Sequence, residues 1–234
     1  MDSIQTILRF EAVSCVIDND AVASFRDAAF SVKSGKIAAV HIETDSEHVP
    51  IADLATGLLA PVSGRVFFKE RDWELMGPFE QAAARGRIGC VLEQKSWISS
   101  LTVLQNIMLR ERHHTLRLES EIAEEARCLS RMIGLDDVPV LRPDRVRQRE
   151  LRMLEWIRAF MGRPDFVLLA FPERDALGEG VECCMRLVEK AISEGTAVMW
   201  ISDRPDVWRQ PLMQAADHYE IKAERWLPLE REHI

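Results

Sequence analysis

The sequence predicts an α/β fold: a mostly parallel core sheet flanked by helices, with an N-terminal antiparallel β layer and a helical subdomain. Three observations carry this prediction. Short apolar runs alternate with helical stretches along most of the chain. The first 33 residues lack that alternation, and a charged stretch near the middle of the chain has almost no strand character. The 234 residues, 47% of them hydrophobic, suffice for one such domain.

The first 33 residues favour extended segments separated by a turn. Phe10, Val13, Phe25 and Phe30 are scattered through these segments, and the acidic residues and asparagine at 18–20 are typical of a turn. This segment therefore predicts an antiparallel layer ahead of the first core strand.

The core strands are predicted from runs that are apolar on both faces, as a parallel sheet covered by helices requires. These runs lie at 37–42, 88–92, 166–171 and 196–201. Two of the intervening stretches place apolar residues on one helical face: Ile51, Leu54, Ala55 and Leu58 in the first, and Leu151, Leu154, Ile157 and Met161 in the second. Trp156, in the second of these, is expected to pack inside.

The stretch from 103 to 160 is charged and predicts helices with solvated faces. No linker separates independent units. We therefore expect a single domain over 1–234, in which 1–92 and 163–234 form the core and the antiparallel layer, and about 93–162 forms the helical subdomain.

Bulk properties restrict the function classes. No run of 18 apolar residues occurs and the N-terminus lacks a leader pattern, so we expect a cytoplasmic protein that touches a membrane only through partners. A formal charge of −8 argues against nucleic-acid binding. The five cysteines have no zinc-ligand spacing and are expected to be reduced core residues, so no metal site is predicted.

Four segments, in order and at the right separations, resemble an ATP-binding-cassette (ABC) ATPase, and among these most the MlaF-type ATPase of lipid-trafficking transporters. The segments are 34–40 with 51–66, 88–93 with 100–107, 157–172, and 197–203 with 215–219. The resemblance covers nearly the whole chain and implies the P-loop ABC ATPase fold.

The phosphate-binding loop of that family falls on Ile42, Glu43, Thr44, Asp45, Ser46, Glu47, His48 and Val49. Such a loop needs glycines, a lysine for the phosphates and a hydroxyl for magnesium. Here His48 takes the lysine position and Val49 the hydroxyl position, and the loop has no glycine. Its carboxylates are expected to satisfy the helix terminus in place of phosphate; an ordinary acidic surface loop is the alternative.

The other nucleotide-contacting positions are substituted as well. The resemblance places the magnesium-binding Asp on Ala170 and the water-orienting Glu on Phe171. The switch histidine falls on Asp203, and the glutamine of the Q-loop on Glu93 or, with a slip of one residue, on Gln94. The adenine-stacking aromatic residue falls near Ile17. The signature motif falls on Val146, Arg147, Gln148, Arg149 and Glu150.

Two further features concern partners. A basic cluster lies at the signature position, on Arg142, Arg145, Arg147, Arg149 and Arg152. It is either a solvated helix start or a surface that pairs with an acidic partner or with nucleotide held by a competent cassette. The resemblance implies that a cleft between core and helical lobe receives a permease helix, and the candidates for docking it are the apolar residues after the Q-loop position, Trp97, Ile98, Leu101 and Leu104. For Trp97, packing in the core is the alternative.

The sequence therefore predicts a degenerate ABC subunit, a pseudo-ATPase that serves as a docking partner of a membrane permease. A lipid cargo is implied only by the MlaF resemblance, and the residues themselves specify no cargo. No cofactor is expected; ATP and magnesium would bind only if the chain is an active ATPase with non-standard residues. It is expected to dimerise with itself or with a second cassette, peripheral on the inner face of the cell membrane. A soluble regulator on the same scaffold is the remaining alternative.

Overall fold

The structure, a computed structural model, describes residues 5–16, 24–42, 50–93, 96–174 and 179–229. The strands are β1 Thr6–Cys15, β2 Phe25–Lys33, β3 Ile37–Ile42, β4 Ser63–Phe68, β5 Arg71–Asp72, β6 Ile88–Val91, β7 Phe166–Ala170, β8 Ala197–Ser202, β9 Asp217–Lys222 and β10 Arg225–Leu229. The α-helices are α1 Ile51–Ala55, α2 Pro78–Arg85, α3 Val103–His114, α4 Glu119–Met132, α5 Gln148–Phe160, α6 Glu179–Ser193 and α7 Pro205–Trp208.

The ten strands of the described chain form one sheet in the order β5-β4-β1-β2-β10-β9-β3-β8-β7-β6. Strands β9, β3, β8, β7 and β6 run parallel to one another, and β9 also pairs antiparallel with β10. Strands β1, β2, β4 and β5 pair antiparallel, and β10 joins the two parts. The predicted parallel core sheet with an N-terminal antiparallel layer is confirmed.

Two apolar cores lie on opposite faces of the parallel strands. In β7, Phe166 and Leu168 pack towards the antiparallel layer, whereas Val167 and Leu169 pack towards the helices. Successive side chains of a strand point to opposite faces, so a strand covered on both sides must be apolar throughout. Trp156 of α5 is buried against Trp200 of β8, as expected.

Helix α5 lies very close to strand β6 because a glycine occupies the contact. A Cβ atom built on Gly89 would lie 1.8 Å from the carbonyl oxygen of Ala159. No side chain fits there. This close approach fixes where the end of β6 meets the side chains of α5.

One predicted helical face is shorter than expected. Helix α1 ends at Ala55, and Gly57 follows with a φ of 66°, a conformation that commonly ends helices. Leu58 is consequently 66% exposed and does not join the apolar face. The prediction for that residue was wrong because the turn chemistry overrides the periodicity.

The stretch between β6 and β7 contains α3, α4 and α5. Its division from the core as a subdomain stays a prediction. None of the described helices combines the length and apolar character needed to cross a bilayer.

Candidate functional site

The carboxyl ends of four parallel strands meet at one edge of the sheet. Because β3, β8, β7 and β6 are neighbours and parallel, Ile42, Ser202, Ala170 and Val91 end side by side. Ligands bind at this edge in open α/β sheets. Of the positions predicted to have handled nucleotide, Glu43 to Val49, Gln94 and Ile17 lie outside the described residues.

Phe171 follows β7 in an unusual conformation. Its φ is 46°, its side chain is buried, and its N–H donates to the carbonyl of Ile201 at 2.9 Å. A bulky residue at positive φ is strained, and such strain persists only when the surroundings hold it. Together, Ala170 and Phe171 present a methyl group and a phenyl ring to this edge. Neither group can coordinate a cation or accept a proton.

The side chain of Arg152 binds the backbone carbonyl of Phe171 from the side of helix α5. Its guanidinium donates to the carbonyls of Phe171 at 2.6 Å, Leu92 at 2.8 Å and Arg174 at 3.1 Å, and to Glu155 at 2.6 Å. Arg152 and Glu155 are both buried. Arg152 was grouped with the surface arginines at the signature position, and that grouping was wrong: its helical face points into the protein, where it joins the ends of β6 and β7.

A side-chain bridge crosses the edge above Phe171. Arg174 forms an ion pair of 2.8 Å with Asp203, the switch position, and its guanidinium carbon lies 3.7 Å from the centre of the Phe171 ring. The loops after β7 and β8 are therefore tied together.

Sequence reasoning missed Glu173. This buried carboxyl group contacts the hydroxyl of Ser202 at the end of β8. Burial raises the pKa of Glu173, and the hydroxyl of Ser202 and the indole of Trp200 oppose that rise. The only sequence signal was a charged residue two positions beyond an apolar run, and a surface residue would give the same signal.

The signature segment opens helix α5. Val146 is half-buried, Arg147 precedes the helix, and Gln148 begins it. Arg147, Gln148 and Arg149 are exposed, and Glu150 is half-buried. Arg142 and Arg145 are exposed as well, so four of the five predicted arginines form the surface cluster. Glu93, the Q-loop position, is half-buried after β6.

The predicted docking residues differ in exposure. Ile98 is 45% exposed and lines a cavity beside α3. Trp97 is half-buried, with the guanidinium carbon of Arg158 lying 4.8 Å from its ring centre. Leu101 is half-buried, and Leu104 packs against the core on the helical side. Ile98 is therefore the apolar side chain of this set that is most available to a partner.

Comparison with known proteins identifies relatives of one kind. No family model matches the chain. The chain is 24% identical over 209 residues to the ribose import ATP-binding protein RbsA 1 of Mesorhizobium japonicum, covering 87% of the chain but 39% of that protein. It is 24% identical over 185 residues to the lipoprotein-releasing system ATP-binding protein LolD of Idiomarina loihiensis, covering 78% of the chain and 81% of LolD. The chain thus spans about two fifths of the ribose import protein and most of LolD.

Solved structures share the fold. A dimeric structure of MJ0796, a bacterial ABC transporter cassette, aligns over 94% of the chain and 96% of MJ0796 with a TM-score of 0.80 and 17% identity. An ATP-binding subunit of an ABC transporter aligns over 94% of the chain and 87% of that subunit, with a TM-score of 0.77 and 14% identity. The solved structures show that the chain has the fold of ABC transporter ATP-binding subunits, and the curated relatives to which it is similar carry names of that family.

Proposed function

We propose that the chain is a degenerate ABC subunit that docks a membrane permease and does not hydrolyse ATP. The observation that carries this proposal is the Ala170–Phe171 pair at the end of β7. Phosphoryl transfer needs a carboxylate to hold magnesium and a group that orients the attacking water. At the positions the resemblance assigns to these roles, this chain has a methyl group and a buried ring.

The neighbouring charges support the same proposal. Asp203 pairs with Arg174, which also covers the Phe171 ring. The sequence of the phosphate-binding loop adds Glu43, Asp45 and Glu47, whose carboxylates would repel a triphosphate. At the positions that the resemblance assigns to nucleotide binding, the sequence thus carries apolar and acidic residues.

The partners proposed are a permease and a second cassette. The relatives carry names of import and lipoprotein release, and the similar MJ0796 cassette is dimeric in its solved structure. We propose the same kind of assembly for this chain, as a homodimer or with a competent cassette, on the inner face of the cell membrane. Lipid, expected from the MlaF resemblance, is the cargo class to test first.

Nucleotide binding tests the loss of catalysis. Fluorescence of a labelled ATP analogue is titrated with and without magnesium, using the MJ0796 cassette as the positive control. We expect no saturable binding at micromolar analogue. Micromolar, magnesium-dependent binding would contradict the pseudo-ATPase proposal.

Affinity purification from detergent-solubilised membranes tests the docking role. We expect an integral membrane subunit to copurify. A copurifying cassette with intact nucleotide-binding motifs would also identify the subunit that hydrolyses ATP for the complex. Recovery of soluble proteins alone would favour the regulator hypothesis instead.

Glu173 favours one alternative, an ATPase with non-standard residues. A buried carboxyl group with a raised pKa is typical of general bases, although Glu173 lies beyond the position where the family carries its carboxylate. Phosphate release by the chain, abolished by Glu173→Gln and retained by the exposed control Glu182→Gln, would establish that alternative. We expect no phosphate release from any of the three proteins.

A further inference from the structure

The stretch 139–149, between helices α4 and α5, concentrates positive charge in an acidic protein. It contains four arginines and one aspartate, Asp144, whereas the whole chain has a formal charge of −8. All four arginines are exposed: Arg142, Arg145, Arg147 and Arg149. Asp144 and Arg145 form a weak pair of 3.8 Å between side chains that are 70% and 77% exposed. Among the described residues, the side chains of Arg142 and Arg147 form no ion pair. This stretch therefore presents net positive charge to solvent.

Two apolar side chains are exposed beside these arginines. Val140 is 68% exposed and Leu141 is 54% exposed. The carbonyl of Leu141 accepts from the N–H of Val103 at 2.8 Å, and the carbonyl of Pro139 accepts from the N–H of Leu104 at 3.2 Å. These two carbonyls satisfy N–H groups in the first turn of α3, which have no partner within the helix. The backbone of 139–141 is thus held against α3 while its apolar side chains remain in solvent.

The 3-10 turn Pro143–Arg145 sets the direction of the arginines. Side chains three residues apart in such a turn lie on the same side. Pro143 is buried and Val146 packs against the core on the helical side, so this pair faces inward. Arg142 and Arg145, also three residues apart, are exposed and face outward. The outward side chains form what we call the basic-apolar surface: Val140, Leu141, Arg142 and Arg145.

The basic-apolar surface matches the interface of an anionic bilayer. Anionic headgroups attract guanidinium groups, and the acyl chains below them accept apolar side chains. Val140, Leu141 and Arg145 are 54–77% exposed, so they protrude. Protruding side chains suit insertion among headgroups, whereas the residues that dominate protein interfaces lie in packed pockets. Because the chain as a whole is acidic, attraction at this surface alone would also orient the molecule on a membrane.

We propose that the basic-apolar surface binds anionic phospholipid directly, with Arg142 and Arg145 on the phosphates of the headgroups and with Val140 and Leu141 inserted at the acyl boundary. The proposal goes beyond the docking function, which requires contact with a permease only, and does not depend on it. It gives the chain a lipid contact of its own, whereas the sequence led us to expect membrane contact through partners alone.

Co-sedimentation of the full chain with vesicles tests this proposal. The vesicles consist of phosphatidylcholine alone or with about one third phosphatidylglycerol. We expect binding to the vesicles that contain phosphatidylglycerol, and we expect it to weaken at high salt because salt screens the charges. The double variant Arg142→Gln, Arg145→Gln should weaken this binding about tenfold or more, since each arginine near an anionic surface contributes about fivefold.

The apolar part of the surface is tested separately. Leu141→Ser should weaken binding about threefold or more at low and at high salt alike, because burial of an apolar side chain is not screened by salt. The variant Arg142→Lys, Arg145→Lys keeps both charges and should keep binding. The matched control Arg163→Gln, Arg186→Gln removes the same charge at exposed positions after α5 and on α6, and it should change binding less than about twofold. Thermal unfolding of each variant verifies that it is folded.

The proposal is overturned if phosphatidylglycerol does not increase binding, or if the double glutamine variant binds as well as its matched control. Two results would assign the surface to a protein instead and also overturn the proposal. One is a soluble acidic protein captured by the wild-type chain but not by the double glutamine variant, without vesicle binding. The other is a dimer of the chain that this variant dissociates in analytical ultracentrifugation, again without vesicle binding.

Discussion

Arg174 and Asp203 form an ion pair of 2.8 Å that joins the loop after β7 to the loop after β8. The carbonyl of Arg174 also accepts from Arg152 at 3.1 Å, and its guanidinium covers the ring of Phe171. A continuous set of contacts thus runs from the buried side of α5 to the surface of the loop after β8. The carboxyl edge of the sheet is stabilised by the protein's own side chains at the positions where the resemblance places a nucleotide.

Removing the ion pair between Arg174 and Asp203, at the solvent-exposed end of these contacts, should lower the stability of the protein only slightly. Arg174 and Asp203 are 38% and 34% exposed, so solvent screens the pair, and Arg174→Ala should lower the free energy of unfolding by less than about 1 kcal/mol in a urea titration. Amide exchange of Glu173 and Arg174 should nevertheless quicken. The exposed pair Arg204–Asp206 supplies the control, since Arg204→Ala should leave exchange at 173 and 174 unchanged. A loss above about 3 kcal/mol for Arg174→Ala would contradict this prediction.

Removing the buried guanidinium of Arg152, at the other end of these contacts, should lower the stability of the protein far more. Arg152→Met leaves Glu155 and three carbonyls without their donor, and we expect the free energy of unfolding to fall by about 3–5 kcal/mol. The double variant Arg152→Met, Glu155→Leu should recover part of that loss, because no unpaired charge remains. Arg147→Met, at an exposed site, should change stability by less than about 0.5 kcal/mol. Equal effects of Arg152→Met and Arg147→Met would show that Arg152 is not buried.

Glu173 should make stability depend on pH. Burial raises its pKa above the ordinary 4.5, so between 4.5 and the folded-state value the folded protein binds more protons than the unfolded chain. This contribution to stability is fully present below pH 4.5 and is lost as pH rises through the folded-state pKa.

The variant Glu173→Gln cannot ionise, so its stability relative to the wild type should increase as pH rises above 4.5. Urea unfolding at several pH values between 4.5 and 8 measures the difference, with Glu182→Gln on the exposed face of α6 as control. A difference that stays constant or shrinks over that range would show that Glu173 is solvated.

Cysteine labelling should separate exposed from buried thiols. The expectation that all five cysteines are core residues was wrong for Cys128, which is exposed on α4. Burial raises the pKa of Cys184 to about 12, with a smaller contribution from Cys183, so almost no reactive thiolate forms there at pH 8. Iodoacetamide should label Cys128 first and Cys184 only after unfolding in urea, as measured by peptide mass spectrometry. Comparable rates at both sites in the native protein would contradict the burial of Cys184.

The sequence by itself determined the layers of the fold and, through the family resemblance, predicted which residues occupy the nucleotide positions. Strand β7 was predictable because a strand covered on both faces must be apolar at every residue, and α5 because Leu151, Leu154 and Ile157 recur at the helical period. Ala170 and Phe171 were identified from residue types in register, which requires no coordinates.

Only the tertiary structure decided what the charged residues do. In the sequence Arg152 resembles the arginines before it, and Glu173 resembles a surface carboxylate. Their burial depends on which residues distant in the chain meet them: Leu92 and Phe171 for Arg152, and Ser202 for Glu173. Periodicity indicates which face of an element is apolar, but the partner of a polar group is set by how the elements pack.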